Sequence, residues 1–175
     1  MWTMRSACVC TLVAVLWGAP KLEAATMEST VVVEVARSVN DELIEAVARL
    51  MPQLSRSAPL PTRDALQEIV AGQSTVLILA RQNARIVGML TLATFRIPTG
   101  IRAWIEDVVV DATARGHGVG EALNRHAISI ALARGARTVE LSSRPSRDAA
   151  NRLYRRIGFE LRETNVYRYT PRGNN

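Results

Sequence analysis

The sequence predicts a single α/β domain in which helices flank a mixed, mostly antiparallel sheet. The chain has 175 residues, which suits one domain of ordinary size. Apolar residues make up 48% of the chain, enough to build a packed core. Segments with strand and helix patterns follow one another in the order β-α-α-β-β-β-α-β-α-β-β, and such mixing is typical of a layered α/β domain.

The first half of the chain predicts one strand and two helices. Val31–Val35 is rich in β-branched residues, which favour strands. Asn40 offers an N-cap for a helix whose apolar residues recur at helical spacing. We expect a loop from Pro52 onwards, because proline disfavours a helix interior. Thr62 then caps a second, short helix.

The rest of the chain predicts a hairpin, a buried strand and alternating shorter elements. The turn signal at residues 82–84 separates the two strands of the hairpin. The apolar run Val108–Val110 ends the next strand and is typical of a strand covered on both faces. The predicted strands are 75–81, 85–97, 103–110, 138–141, 159–161 and 166–169, and the predicted helices are 118–133 and 147–157.

The charge distribution argues against nucleic acid as a partner. The formal net charge is +6, and Lys21 is the one lysine among 22 basic residues. The arginines are scattered, and Arg155 and Arg156 are the one adjacent pair. Codon bias in a GC-rich genome is the first explanation of the arginine-rich composition, and attraction to an anion is the second. Scattered arginines suit a small phosphorylated ligand better than a polyanion.

Cysteine and histidine usage excludes several chemistries. Cys8 and Cys10 are the only cysteines, so residues 27–175 hold no disulfide and no cysteine nucleophile. His117 and His126 are the only histidines, and we therefore expect no metal site.

The first 26 residues are set apart from the domain, which we place at residues 27–175. Arg5 followed by the apolar stretch Ala7–Ala19 resembles a secretory signal. The alternative is an over-extended start that precedes a true start at Met27. The apolar stretch is shorter than the ~20 residues of a membrane-spanning helix, and we expect no membrane contact from residues 27–175.

A glycine-rich turn between a strand and a helix predicts a phosphate-binding loop. The segment Gly116-His117-Gly118-Val119-Gly120 follows the strand that ends at Val110 and opens a helix. The first amides of a helix lack internal acceptors and point along the positive end of its dipole. Arg115 adds a side-chain donor. Neither the P-loop pattern nor the dinucleotide fingerprint fits, because Glu121 follows Gly120.

The chain resembles the GNAT superfamily of N-acetyltransferases. The resemblance rests on Val108–Val110, on the loop from Arg115 to Gly120 with its Arg-x-x-Gly-x-Gly pattern, and on the later block from Ala150 to Phe159. That block fills every fixed position of the family pattern A-x-x-L-Y-x-x-x-G-F. Motif-grade identity is confined to Trp104–Phe159.

The resemblance implies acetyl-CoA as co-substrate and assigns residues to it. The loop amides would hold the pyrophosphate, and the backbone of the preceding strand would pair with the pantetheine arm. The family has an asparagine that touches the pantetheine, and Arg147 stands at its position here, so that contact is not carried over. The implied cofactor-binding residues are Val108, Val109, Val110, Arg115, Gly116, His117, Gly118, Val119, Gly120 and Glu121.

The resemblance also implies catalytic roles. Tyr154 matches the general acid that protonates the leaving thiolate. Glu106 is our choice as general base, directly or through a water. Strand alternation would place Trp104, Glu106, Val108 and Val110 on one face of the sheet and Asp107 on the other. Relatives that act on protein N-termini often use a later carboxylate, but Ser142 occupies that position here.

The implied function is transfer of an acetyl group from acetyl-CoA to a primary amine by direct attack in a ternary complex. A small-molecule amine or a peptide amine would serve as acceptor, and Arg63, Arg96 and Arg102 would suit an anionic one. The alternatives are a non-catalytic acyl-CoA-binding regulator and, more remotely, a nucleotide-binding oxidoreductase. The expected compartment is the cytoplasm, or the exported fraction if residues 1–26 are a signal. Dimerisation is frequent in the family, which leaves a homodimer open.

Overall fold

A computed structural model describes residues 30–171 and shows one mixed sheet with helices on both faces. The strands lie side by side in chain order; the first four are antiparallel neighbours and the last pair is parallel. The strands are β1 (Val32–Val35), β2 (Thr75–Gln82), β3 (Arg85–Ile97), β4 (Gly100–Val110) and β5 (Ala136–Leu141). The helices are α1 (Asp41–Leu54), α2 (Arg63–Ala71), α3 (Val119–Ala133) and α4 (Asp148–Arg156), with a short 3₁₀ turn at Ala112–Ala114. The predicted fold class is confirmed.

The core has two parts, one on each face of the sheet. On one face α3 packs over the central strands, with Leu123 and Ala127 fully buried against Leu90 and Ile105. On the other face α1 packs on β3 and on the end of β4 around Val109, and α2 packs on β2. The far ends of β3 and β4 and all of β5 extend past these two helices, which leaves one side of the sheet open there. That opening positions the site described below.

Local signals read from the sequence account for the ends of the elements. The side chain of Asn40 accepts a hydrogen bond from Leu43 N at 2.9 Å, and the side chain of Thr62 accepts one from Ala65 N at 3.1 Å. Both predicted N-caps are therefore confirmed. The hairpin turn is confirmed as well, with Asn83 and Ala84 both at positive φ (50° and 63°), as a type I′ turn requires.

The expected loop at Pro52 was wrong, because α1 continues through this proline to Leu54. Proline removes one amide donor, yet the next turn re-forms, and Ser55 N donates to Met51 O at 2.9 Å. The side chain of Gln53 also accepts from Ala112 N at 2.9 Å. A tertiary contact thus holds the last turn of α1 against the end of β4, which local propensity could not foretell.

The expected alternation along β4 was also wrong, because a β-bulge interrupts it at Asp107. Asp107 has φ +54°, and the pairing with β3 skips a position there. Before the bulge, Ala103 and Ile105 face α3, whereas after it Val108 and Val110 do. Trp104 and Glu106 therefore lie on the open face, opposite to Val108 and Val110.

The predicted closing strands at 159–161 and 166–169 do not form. Phe159 packs against the α3 side of the core, and Arg162 reaches the carboxylate of Glu140 on β5 at 2.8 Å. Beyond that point the chain runs on without strand pairing. We call residues 160–171 the C-terminal arm. Its large apolar side chains are almost fully exposed, with Leu161, Tyr167 and Tyr169 each 88% accessible.

Three further expectations concern the N-terminal segment, membrane spans and metal sites. The signal-like segment 1–26 lies outside residues 30–171. No helix within residues 30–171 combines the length and apolar character that crossing a bilayer requires. Over the same range, no group of three or more His, Cys, Asp or Glu side chains is arranged to hold a metal ion.

Candidate active site

The site lies where β4 and β5 separate. The two strands pair in parallel from Ile101 with Ala136 as far as Ile105 with Leu141. Past the bulge, Val109 pairs with Met89 of β3, and Asp111 N donates to Val87 O at 2.8 Å. Since neighbouring residues of a strand point their polar backbone groups to opposite sides, those of Val108 and Val110 point away from β3, into the gap.

Two arginines fill part of that gap from its two ends. Arg147 Nη2 donates to Val108 O at 3.4 Å, and Arg115 Nε donates to Val110 O at 3.2 Å. Arg147 therefore lies along the strand edge and not on the glycine loop. Among the strand residues expected to bind the cofactor, Val108 and Val110 present backbone groups to the gap. Val109 faces β3 and buries its side chain.

The glycine loop presents bare backbone at the N-terminus of α3. Gly116 and Gly118 have φ of +84° and +76°, a conformation that glycine adopts at little cost. A Cβ built at either position meets nothing within 4 Å, so the space above the loop is open. Ala122 N donates to Gly118 O at 2.9 Å and closes the first helical turn. The amides of Val119, Gly120 and Glu121 precede that turn and are left for an external acceptor.

Gly120 is needed for packing and not for a special backbone angle. A Cβ there would lie 3.1 Å from Leu153 Cδ2 and 3.8 Å from Val110 Cγ2. The glycine thus allows α3, α4 and the end of β4 to approach closely. The glycines of the loop, which look alike in the sequence, therefore have different roles.

Asp111 holds the turn between β4 and the glycine loop and was missed by the sequence analysis. One carboxylate oxygen accepts from Thr113 N at 3.1 Å and Thr113 Oγ1 at 2.9 Å, and the other pairs with Arg49 Nε at 3.1 Å. The hydrogen bond from the Thr113 amide is the main reason why the pKa of Asp111 is lowered. An Asp directly after an apolar strand, two residues before Thr, is a capping signal that could have identified it.

The two predicted catalytic side chains line one cavity. It has a volume of about 100 Å³ and lies at the mouth of the gap between β4 and β5. Glu106, Asp107 and Val108 line it from β4, and Arg147 and Tyr154 line it from the α4 side. The fold therefore brings together a carboxylate and a phenol that are 48 positions apart in the sequence.

Tyr154 is held in a defined, largely dry position. The residue is 7% exposed, and its ring meets that of Phe159 edge to face with centroids 5.9 Å apart. Phe159 N also donates to Tyr154 O at 2.9 Å, which ties the chain after α4 to this residue. Burial raises the pKa of the Tyr154 phenol, and the nearby charge of Arg147 acts in the opposite direction. The phenol is therefore protonated at neutral pH.

Glu106 is exposed on the open face beside an aromatic ring. Trp104 Nε1 donates to Glu106 Oε1 at 2.6 Å, which fixes one carboxylate oxygen of a side chain that lines the cavity. Trp104 also lies opposite Glu140 of β5. Trp104, Glu106 and Glu140 thus form one surface, the open face, next to the gap.

Three of the remaining predicted residues form ion pairs. Glu121 pairs with Arg125 at 2.9 Å and Arg156 at 2.8 Å, and these arginines lower the pKa of its carboxyl. His117 is exposed in the loop. Of the arginines considered for an anionic acceptor, Arg102 pairs with Glu140 at 3.2 Å and Arg63 pairs with Asp41.

Sequence comparisons identify relatives of this arrangement. The acetyltransferase (GNAT) family profile matches residues 41–159. A glucosamine 6-phosphate N-acetyltransferase from Oryza sativa is 33% identical over 120 residues, covering 63% of this chain and 70% of that protein. An uncharacterized N-acetyltransferase of Methanocaldococcus jannaschii is 43% identical over 61 residues, which cover 35% of this chain but only 27% of that protein.

Solved structures share the fold. An aminoglycoside acetyltransferase from an uncultured soil sample superposes with a TM-score of 0.70 at 21% identity, covering 81% of this chain and 95% of that one. The aminoglycoside N-acetyltransferase AAC(6′)-Iy, solved with CoA, gives a TM-score of 0.66 at 18% identity, covering 83% of this chain and 97% of that one. The family profile and the rice relative together decide the assignment: this chain belongs to the GNAT acetyltransferase family.

Proposed function

We propose that the protein is an N-acetyltransferase that moves an acetyl group from acetyl-CoA to a primary amine by direct attack in a ternary complex. The observation that carries the proposal is the shared cavity of Glu106 and Tyr154 at the mouth of the gap between β4 and β5. A proton acceptor and a proton donor at one opening are what aminolysis of a thioester requires.

The residues present fit acetyl-CoA. Open space above Gly116 and Gly118 and the unpaired amides at the start of α3 suit its pyrophosphate. The backbone groups of Val108 and Val110 in the gap suit the amides of its pantetheine arm. When bound, acetyl-CoA supplies the activated acetyl group. The chain supplies the slot, the anion site and the two proton-transfer groups.

Each catalytic side chain has one task. Glu106 accepts a proton from the acceptor amine, directly or through a water, and its bond from Trp104 keeps the carboxylate aimed at the cavity. Tyr154 donates its phenolic proton to the departing sulfur, and burial keeps that proton on the ring at neutral pH. No cysteine occurs after Cys10, so a covalent acetyl-cysteine on the domain is excluded.

The acceptor is an amine that reaches the open face. Trp104 offers an aromatic surface there, with Glu140 beside it on β5 and Glu106 two residues further along β4. Relatives with names that specify an amino sugar or an aminoglycoside support a small-molecule amine. A peptide amine is the second acceptor class. We place the reaction in the cytoplasm, where acetyl-CoA is supplied.

We also propose a homodimer, supported by the C-terminal arm. Its side chains Leu161, Val166, Tyr167 and Tyr169 are 79–88% exposed, and aromatic side chains can bury about 150–250 Å² each. A second copy is the simplest cover for them. Sedimentation of the full chain and of a chain ending at Arg162 tests this. A dimer that becomes a monomer on truncation is expected. A monomeric full chain would refute the dimer, and a dimer for both chains would refute the arm as its interface.

The experiment that tests the activity pairs Tyr154→Phe with Tyr167→Phe. The first change removes the hydroxyl in the cavity and keeps the ring, and the second makes the same change on the exposed arm. A panel of amines with thiol detection should show turnover for the native chain and for Tyr167→Phe. We expect a loss of about 10²–10⁴-fold for Tyr154→Phe, with acetyl-CoA affinity by calorimetry unchanged.

The same panel separates the alternatives. Acetyl-CoA binding without turnover on any amine would favour the non-catalytic acyl-CoA-binding regulator. Nicotinamide binding without CoA binding would favour the nucleotide-binding oxidoreductase. Native turnover by Tyr154→Phe would show that solvent protonates the sulfur and that Tyr154 serves only the packing.

A further inference from the structure

Arg147 stands out because it brings a positive charge to the edge of the catalytic cavity. It lies directly before α4, and the chain around it is fixed. Arg147 N donates to Arg144 O at 3.0 Å, and Asn151 N donates to Arg147 O at 2.9 Å. The side chain of Asn151 donates to Arg144 O at 3.0 Å as well. The backbone thus aims the arginine at the gap, where Nη2 meets Val108 O at 3.4 Å.

Arg147 faces two carboxylates across the cavity. From β4 the cavity is lined by two carboxylates, Glu106 and Asp107. From β5 and α1 the lining residues are the uncharged Leu141, Ser142 and Leu54. Among the lining residues in the described part of the chain, Arg147 carries the one positive charge, and it acts on the phenol of Tyr154.

A leaving thiolate would be disfavoured by the two carboxylates unless a cation offset them. We propose that Arg147 stabilises the sulfur of CoA as thiolate when it departs from the acetyl group. This inference rests on the proposed function. The amine nitrogen forms a bond to the acetyl carbon, and the carbon–sulfur bond breaks with its electron pair on sulfur. Glu106 takes one amine proton, and Tyr154 later gives its proton to the sulfur.

This role makes Arg147 a partner of Tyr154 and not a substitute for it. A guanidinium carries a positive charge and does not serve as a proton donor in this exchange, so it holds negative charge on the sulfur without giving up a proton. The phenol then completes the exchange by protonating the sulfur. The two groups act on the same atom in succession, and each alone would leave part of the barrier in place.

The first test measures the pKa of the thiol of bound CoA and needs no turnover. The thiolate is followed by its ultraviolet absorbance as a difference from the CoA-free protein, in a Tyr154→Phe background that removes the nearby phenol. Free thiols have a pKa near 8.5. We expect bound CoA to titrate about one unit lower in this background, to lose that shift with Arg147→Gln, and to keep most of it with Arg147→Lys. Arg152→Gln, on the exposed side of α4, is the matched control.

Two further readouts separate this role from a structural one. With Tyr154 present, Arg147→Gln should raise the pKa of the phenol, because a nearby positive charge is lost. Turnover of acetyl-CoA should fall about 10- to 100-fold, the scale of one lost charge-assisted hydrogen bond. That fall should shrink for an acetyl thioester of a more acidic thiol, which leaves without help.

The outcomes are distinguishable from failure of the proposed function. If CoA binds and amines are acetylated but Arg147→Gln leaves the thiol pKa unchanged, the thiolate role is refuted and the acetyltransferase stands. An equal loss of rate with both thioesters would likewise refute it. If CoA does not bind at all, the proposed function fails, and this inference fails with it.

Discussion

The two halves of β4 belong to one strand but differ in their pairing and in the groups that they present to the site. From Ile101 to Ile105 the strand is paired on both sides, with β3 and with β5. At Val109 and Val110 it is paired with β3 alone, and its other edge faces a gap. The first half presents side chains to the open face, whereas the second half presents backbone groups to the gap.

The boundary between the halves is one residue, Asp107, at φ +54°. The bulge reverses which side chains face α3 and, at the same point, β5 ends and lets the strands diverge. One strand can thus pair within the sheet over its first part and leave a free backbone edge for binding over its second part. A bulge at a single position between the two parts is what separates them. The predictions below set the two halves against each other.

The largest effect is expected from Glu106→Gln, compared with Glu140→Gln. Both carboxylates lie on the open face, but Glu106 borders the gap, whereas Glu140 lies in the paired region and is held by Arg102 and Arg162. Loss of the base should lower turnover about 10²–10⁴-fold, measured at saturating acetyl-CoA. The Glu140 variant should stay within a few-fold of the native rate. Equal losses would show that the carboxylate beside the gap has no special role among those of the open face.

A large loss of stability is expected from Asp111→Ala. Asp111 directly follows the part of β4 whose second edge faces the gap. The variant leaves Arg49 without its ion-pair partner and the Thr113 amide without its acceptor. Because Arg49 keeps 30% of its side-chain exposure, we expect a loss of about 3 kcal/mol, the low end for a broken buried pair. Urea unfolding measures it. A loss below about 0.5 kcal/mol, the scale of an ordinary surface change, would show that the turn holds without Asp111.

The pH dependence of Asp111 gives a second check. Its pKa is lowered in the folded protein, first by the hydrogen bond from the Thr113 amide. Its contribution is therefore complete above the unfolded pKa of about 3.9 and is lost as the pH falls through the lower folded value. Asp111→Asn keeps an acceptor and no charge. The difference in unfolding free energy between the native chain and this variant should shrink below about pH 4.

A smaller effect, on the affinity for acetyl-CoA, is expected from a substitution in the glycine loop that follows β4. Gly118→Asn tolerates the positive φ and extends a side chain into the open space above the loop. We expect the fold to survive and the Kd for acetyl-CoA to rise about tenfold, which corresponds to ~1.4 kcal/mol. Gly120→Ala should instead lower the melting temperature, because its Cβ would crowd Leu153. Calorimetry showing native affinity for Gly118→Asn would argue against the loop as the pyrophosphate site.

The smallest effect is expected from removing residues 1–26. Every residue of β4, the loop and the cavity lies between Leu54 and Tyr154. A chain starting at Met27 should fold with an unchanged melting temperature and bind acetyl-CoA with the affinity of the full chain. A clear loss of either would show that the leading segment packs on the domain.

The sequence predicted those parts of the site that depend on local chemistry. Gly116 and Gly118 take the backbone angles for which glycine is suited, and Tyr154 sits on the buried face of its helix. Caps at Asn40 and Thr62 could be read because the capping side chain and its amide lie within three residues. The fold class followed from the order of such elements.

The parts that were missed depend on partners distant in sequence. The bulge at Asp107 is defined by the register with β3, which alternation along one strand cannot reveal. Pro52 stays helical because Gln53 bonds to Ala112, 59 positions away. The residues of the C-terminal arm have strand propensity, but a strand forms only when it pairs with a partner, and within residues 30–171 the arm pairs with no strand.

The close approach at Gly120 has a consequence for how this fold can be redesigned. A Cβ on Gly120 would lie 3.1 Å from the side chain of Leu153, which directly precedes Tyr154. A change in the glycine loop would therefore be transmitted through Leu153 to the position of Tyr154. Swapping in a longer or bulkier glycine loop, to accept another acyl carrier, would push α4 and displace the phenol. Residues on the open face that contact the acceptor can be substituted one at a time, whereas the glycine loop and α4 would have to be replaced together.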